Sequence, residues 1–133
     1  MKRLWLLAAL VASPAAYAYT PDELRGDCQA AEEMYAQQKS SDPFKSIRSA
    51  RCIAYVAGFA DGYAVSNYLA EQVSVKLNAF CLPNDPDLSM RLVRAVTIHV
   101  ERVPPNTTMS TATLVAGALA KAFPCAEALE SKK

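Results

Sequence analysis

The sequence predicts an all-α protein, a small disulfide-stapled bundle of four main helices arranged as two helical hairpins. Three observations carry that expectation. Proline-containing polar clusters stand ahead of long runs with helical periodicity. Four widely spaced cysteines fall where antiparallel helix pairs would bring them together. The one alternating stretch, VSVKLNAF at 73–80, has no partner with which to build a sheet.

The bundle starts after a leader. MKRLWLLAALVASPAAYA opens with Lys2 and Arg3, continues as an apolar run from Leu4 to Ala12 and closes on Ala16-Tyr17-Ala18. That order is the signature of a secretory signal peptide, and the run is too short for a good membrane anchor. Cleavage after Ala18 is expected, so that residues 1–18 are the signal peptide and 19–133 a single helical domain. Removing two of the 14 basic residues with the leader leaves 12 against 13 acidic ones. No basic stripe suggests nucleic acid and no acidic tail suggests disorder.

Each helix start has a stated chemistry. TPDE at 20–23 offers Thr20 as N-cap, Pro21 in the first turn and Glu23 at the third position, a capping box. SDPF at 41–44 and NDPD at 84–87 repeat the idea with Asp42 and Asp85 as caps. A fourth start is expected near Ser110, after the break VPPN at 103–106. The expected helices are 21–38, 43–70, 86–102 and 110–123, with 73–80 read as helix end or irregular chain.

Cys28, Cys52, Cys81 and Cys125 make an even number in a short exported chain, which implies disulfides formed in an oxidising compartment. Neither zinc-ligand spacing nor a C-x-x-C redox motif is present. A short loop makes the first two helices antiparallel, and turning the chain near residue 41 sets Cys28 opposite Cys52. Turning it near residue 104 likewise sets Cys125 close to Cys81. The expected pairs are therefore Cys28–Cys52 and Cys81–Cys125.

The second helix raises its own question. CIAYVAGFADGY at 52–63 places Gly58, Gly62 and the carboxylate of Asp61 inside a helix, although each glycine costs about 1 kcal/mol relative to alanine. In steps of four, Ser46, Ala50, Ala54, Gly58, Gly62, Ser66 and Ala70 form a small-residue stripe. Ala112, Ala116 and Ala120 form another on the fourth helix. Close packing of the second helix on the fourth is the structural explanation expected, with Asp61 a cap or an exposed contact.

C-x-x-Y-x-x-G-x-x-D-G at 52–62, FCLP at 80–83 and A-x-x-L-V-x-x-A-L-x-x-x-F-P-C ending at Cys125 resemble the Rap/Tai family of type VI secretion immunity proteins. The resemblance spans roughly residues 50–125. NDPDLSMR departs from the glutamine-containing start of the family's third helix. What the resemblance implies is a small, mostly helical periplasmic protein with disulfides. Characterised members bind and block a peptidoglycan-cleaving amidase effector, protecting the producing cell and its kin.

An enzyme is not expected. The chain has one histidine, His99, and its cysteines are better used as bridges than as thiolates. No cofactor or metal is expected, and no membrane attachment after cleavage; a homodimer is compatible with the sequence. The expected function is steric inhibition of a peptidoglycan amidase. The alternatives are a periplasmic chaperone or stress protein that binds unfolded clients, or a structural subunit of an envelope complex. For the inhibitory surface, an inward stripe of Leu88, Leu92, Val96, Val100 and Val103 turns Arg91, Arg94 and Arg102 outward, and two prolines stiffen the exit VPPNTT. Arg102, Pro105, Asn106 and Thr107 are the expected contacts, with Arg94 on the rim. Of Tyr35, Tyr55, Tyr63 and Tyr68, most are expected to pack at the core or its rim.

Overall fold

In the computed structural model of the chain, which describes residues 19–126, helix α1 (Pro21–Tyr35) begins on the expected capping box. Glu23 N–H donates to Thr20 Oγ1 at 3.2 Å, and Thr20 N–H donates to Glu23 Oε2 at 2.9 Å. The expected signal peptide lies outside the described residues. The first helix is shorter than expected, ending where Gln37 adopts a left-handed φ of 54°.

Helix α2 (Lys45–Glu71) and helix α3 (Leu88–Glu101) start two residues later than the aspartate–proline signals suggest. Asp42 does not cap α2 directly. Its Oδ1 accepts from Phe44 N–H at 2.9 Å, and its carbonyl accepts from Lys45 N–H at 3.3 Å. Asp85 does the same before α3, accepting from Asp87 N–H at 2.9 Å and from Leu88 N–H at 3.1 Å. Each aspartate closes a tight turn over the proline, and that turn feeds the helix. Helix α4 (Thr111–Ala122) starts on Ser110, whose hydroxyl accepts from Thr113 N–H at 3.1 Å. Residues 73–80 form no strand.

Four helices and no strand among the described residues make the fold all-α. Helix α1 lies between α2 and α3, and α4 packs on α3. The core is built from Leu24, Cys28 and Ala31 of α1, Cys52, Val56 and Ala60 of α2, Leu92, Val96 and Val100 of α3, and Leu114, Val115 and Leu119 of α4. The α3 stripe faces inward as expected, with Val93 and Thr97 buried beside it. Both bridges form as expected: Cys28–Cys52 and Cys81–Cys125 each join Cα atoms 5.0 Å apart. The first is wholly buried within the α1–α2 hairpin. The second clasps the chain before α3 to the chain after α4, where Cys81 N–H also donates to the Phe123 carbonyl at 2.8 Å.

The expected packing of Gly58 and Gly62 against the fourth helix is overturned. Helices α2 and α4 barely touch, Gly58 and Gly62 are exposed, and the space where their Cβ atoms would stand is open. The reason is which side of α2 the core occupies. Ser49, Cys52, Val56 and Ala60 face inward, and α1 and α3 cover them; the small-residue stripe lies on the opposite side. Asp61 is exposed there as well.

Candidate functional site

The loop from α3 to α4 is held at both ends. Where α3 ends, its last carbonyls lack helical partners. Arg25 of α1 supplies one, with Nη2 donating to the Val100 carbonyl at 3.2 Å and to the Val103 carbonyl at 3.1 Å. A cation at a helix C-terminus also opposes the negative end of the macrodipole. Val103 packs back against the core. Thr107 N–H donates to the Pro104 carbonyl at 3.1 Å, its hydroxyl accepts from Met109 N–H at 3.2 Å, and Ser110 then caps α4.

This loop presents Pro104, Pro105 and Asn106 to solvent, with Thr107 half-buried beneath them. Arg102, exposed at the C-terminal cap of α3, adjoins the loop. Arg102 also lines a groove of about 140 Å³ along α3 and α4, beside Ala95, Ile98, His99, Ala118 and Lys121. Among the described residues no acidic side chain lines it, and Arg102 and Lys121 stand over an apolar floor. Of the expected contacts, Arg102, Pro105, Asn106 and Thr107 are therefore contiguous. Arg94 is not beside them. It sits about 12 Å back along α3, by the helical rise, with Nε 3.4 Å from Glu32 Oε1 of α1. Arg91 is likewise engaged, pairing with Asp85 and lying over the Phe123 ring. Its guanidinium and the Asp87 N–H hold the Asp85 carboxyl below its ordinary pKa, the backbone hydrogen bond being the larger cause.

A second cluster was missed in the sequence. Tyr19 hydroxyl donates to Asp27 Oδ2 at 2.9 Å, and Arg51 Nε lies 3.3 Å from the same oxygen. Asp27 is buried, 3 % exposed. Arg51 Nη2 reaches Glu23 Oε1 at 3.0 Å, and its guanidinium lies over the Tyr19 ring, which meets Tyr55 edge-on. Thr111 of α4 donates to the Tyr19 carbonyl. Burial, then the bond to Asp27, pushes the Tyr19 hydroxyl well above the usual tyrosine range. Glu23 is held below the usual carboxylate range, first by Thr20 N–H and then by Arg51. The signal for this cluster was the bridge itself: Asp27 and Arg51 immediately precede the two bonded cysteines, so pairing Cys28 with Cys52 sets them side by side. A hollow of about 470 Å³ opens beside them, lined by Tyr19, Glu23, Arg51, Ala54 and Tyr55.

Among the described residues no group of three or more histidine, cysteine or acidic side chains is placed to hold a metal ion. No helix there is long and apolar enough to cross a membrane. Against known families, the model of the Rap1a immunity proteins matches residues 20–125. The chain belongs to the Rap1a immunity protein family. The match starts at the capping box and ends at the last cysteine, so it takes in both bridges and all four helices, including the first helix that the local motifs left out. No curated protein and no solved structure matches the chain significantly.

Proposed function

We propose that this Rap1a-family protein is exported to the periplasm, where it binds a peptidoglycan amidase delivered by type VI secretion and blocks it sterically, with no catalysis of its own. Membership of an immunity family supports a cognate toxic effector as partner. Two disulfides support an oxidising compartment. The observation that carries the steric mechanism is the loop at 103–110, tied to α1 through Arg25 and to α4 through Ser110 while its tip stays exposed. A loop already ordered in the free protein loses little entropy on entering a cleft. Arg102 and Asn106 would then engage the effector, and the tip would keep substrate from the catalytic groups.

Chaperone-like client capture has less support. A loosened apolar fold would be needed, whereas the core here is fastened by two bridges and the chain has a single histidine with which to sense pH.

Arg102→Ala combined with Asn106→Ala should leave melting unchanged, because both residues are exposed. Titrated against the cognate amidase acting on peptidoglycan, the double variant should inhibit with a midpoint raised by roughly tenfold or more, the scale of a contact that matters in an interface. An unchanged midpoint would move the inhibitory contact elsewhere, first to the turn at 82–87.

A further inference from the structure

The direction of the α3–α4 loop is set at its base. Pro104 and Pro105 have φ fixed near about −65° by their rings. A proline also restricts the residue before it to extended backbone, which here applies to Val103 and to Pro104 itself. The tip beyond them is a β-turn with Pro105 and Asn106 at its centre, closed by Thr107 N–H on the Pro104 carbonyl at 3.1 Å. The loop is therefore a stiff stalk under a tight turn. Any rotation of the Val103–Pro104 peptide plane swings the whole tip.

That plane is held from outside the loop. Proline has no N–H, so the plane's one hydrogen-bonding group is the Val103 carbonyl. It accepts from Arg25 Nη2 at 3.1 Å. The same nitrogen donates at 3.2 Å to the Val100 carbonyl, which also accepts from Val103 N–H at 3.2 Å. Nη2 carries two hydrogens, so it serves both carbonyls and joins the last turn of α3 to the loop base. The guanidinium is itself oriented, with Nη1 2.8 Å from Asp22 Oδ1. Leu24 beside it and Cys28 one turn on are fully buried, so α1 gives Arg25 a fixed mount.

We propose that Arg25 is a positioning residue for inhibition: by holding the Val103–Pro104 peptide plane it aims the Pro105–Asn106 turn at the effector, a role that rests on reading this loop as the inhibitory contact. Arg25 need not touch the effector to act in this way. A merely structural role would move different quantities. A substitution that acts through stability alters the inhibition midpoint only in proportion to the protein left unfolded. One that frees the loop base raises the midpoint of a fully folded protein, because fewer molecules hold the tip in the binding pose.

Arg25→Met keeps a long unbranched stem and removes both donors. At a temperature where melting shows the variant to be folded, its inhibition midpoint against the cognate amidase should rise by roughly fivefold or more. Arg25→Lys, which can reach one carbonyl, should recover part of that loss, and it carries the comparison with wild type if Arg25→Met fails to fold. In the free protein, Arg25→Met should lower the backbone amide order parameters of Asn106, Thr107 and Thr108 and leave those of the four helices unchanged. Added to the Arg102→Ala and Asn106→Ala pair, Arg25→Met should raise the midpoint by less than it does alone, since both act through one loop. A folded Arg25→Met protein with the wild-type midpoint overturns the proposal, as does full additivity with the loop pair. The loop pair keeps the two claims apart. If the pair leaves the midpoint unchanged, the loop is not the inhibitory contact; if the pair raises it and Arg25→Met does not, the contact stands and Arg25 does not aim it.

Discussion

Replacing Cys28 and Cys52 together by alanine is expected to destabilise the protein by about 2–5 kcal/mol, the usual consequence of losing a native bridge from a small secreted domain. The bridge joins residues 24 apart in sequence and so restricts the unfolded chain. It also contributes packing: both cysteines are fully buried among Leu24, Val56 and the α3 valines that form the core. The same bond aligns Asp27 with Arg51, so its loss should loosen the Tyr19 cluster too. Urea denaturation of the oxidised wild type and the double variant measures the difference. A loss below about 1 kcal/mol would mean that hydrophobic packing alone fixes the α1–α2 hairpin.

Asp27→Ala is the second large effect, expected at about 1–3 kcal/mol or somewhat more because a buried charged acceptor is removed. Tyr19 hydroxyl would lose its acceptor and Arg51 would lose one of its two carboxylates. Tyr19 holds the start of the described chain against α2 and α4, so the damage should extend to the way the chain enters α1. Asp27→Asn keeps an acceptor for Tyr19 but gives up the charge, and it should recover part of the loss. Thermal melting of the three proteins checks this order. Equal stability of Asp27→Ala and wild type would show that solvent satisfies Tyr19 and Arg51 equally well.

Much of the fold was legible because its determinants are local. The Thr20–Glu23 capping box involves three consecutive peptide units and formed as read. The α3 stripe repeats at helical spacing and is buried as read. The two bridges follow from hairpin registry, which needs only loop positions and the helical rise. The aspartate–proline starts were placed two residues early, because an aspartate before proline caps a turn as readily as a helix.

The Gly58–Gly62 face was misread for a different reason. Periodicity shows that small residues share one side of a helix, but not whether that side meets the core. In α2 the inner residues Ser49, Cys52, Val56 and Ala60 are themselves small or medium-sized, so size did not tell the two faces apart. The contiguity of Arg102 with Pro105, Asn106 and Thr107 was readable, since they are near neighbours in sequence. The tethering of their loop by Arg25 was not, because that contact joins residues 75 and 78 positions apart.

The central claim is protection of the periplasm against a wall-cleaving effector. Cells that produce the cognate amidase with a periplasmic leader should lyse, and co-production of this full chain should prevent lysis. The same chain starting at Tyr19, and so kept in the cytoplasm, should fail to protect. Continued lysis in the presence of the full, disulfide-bonded chain would contradict the account, and equal protection by the leaderless chain would contradict its periplasmic site of action.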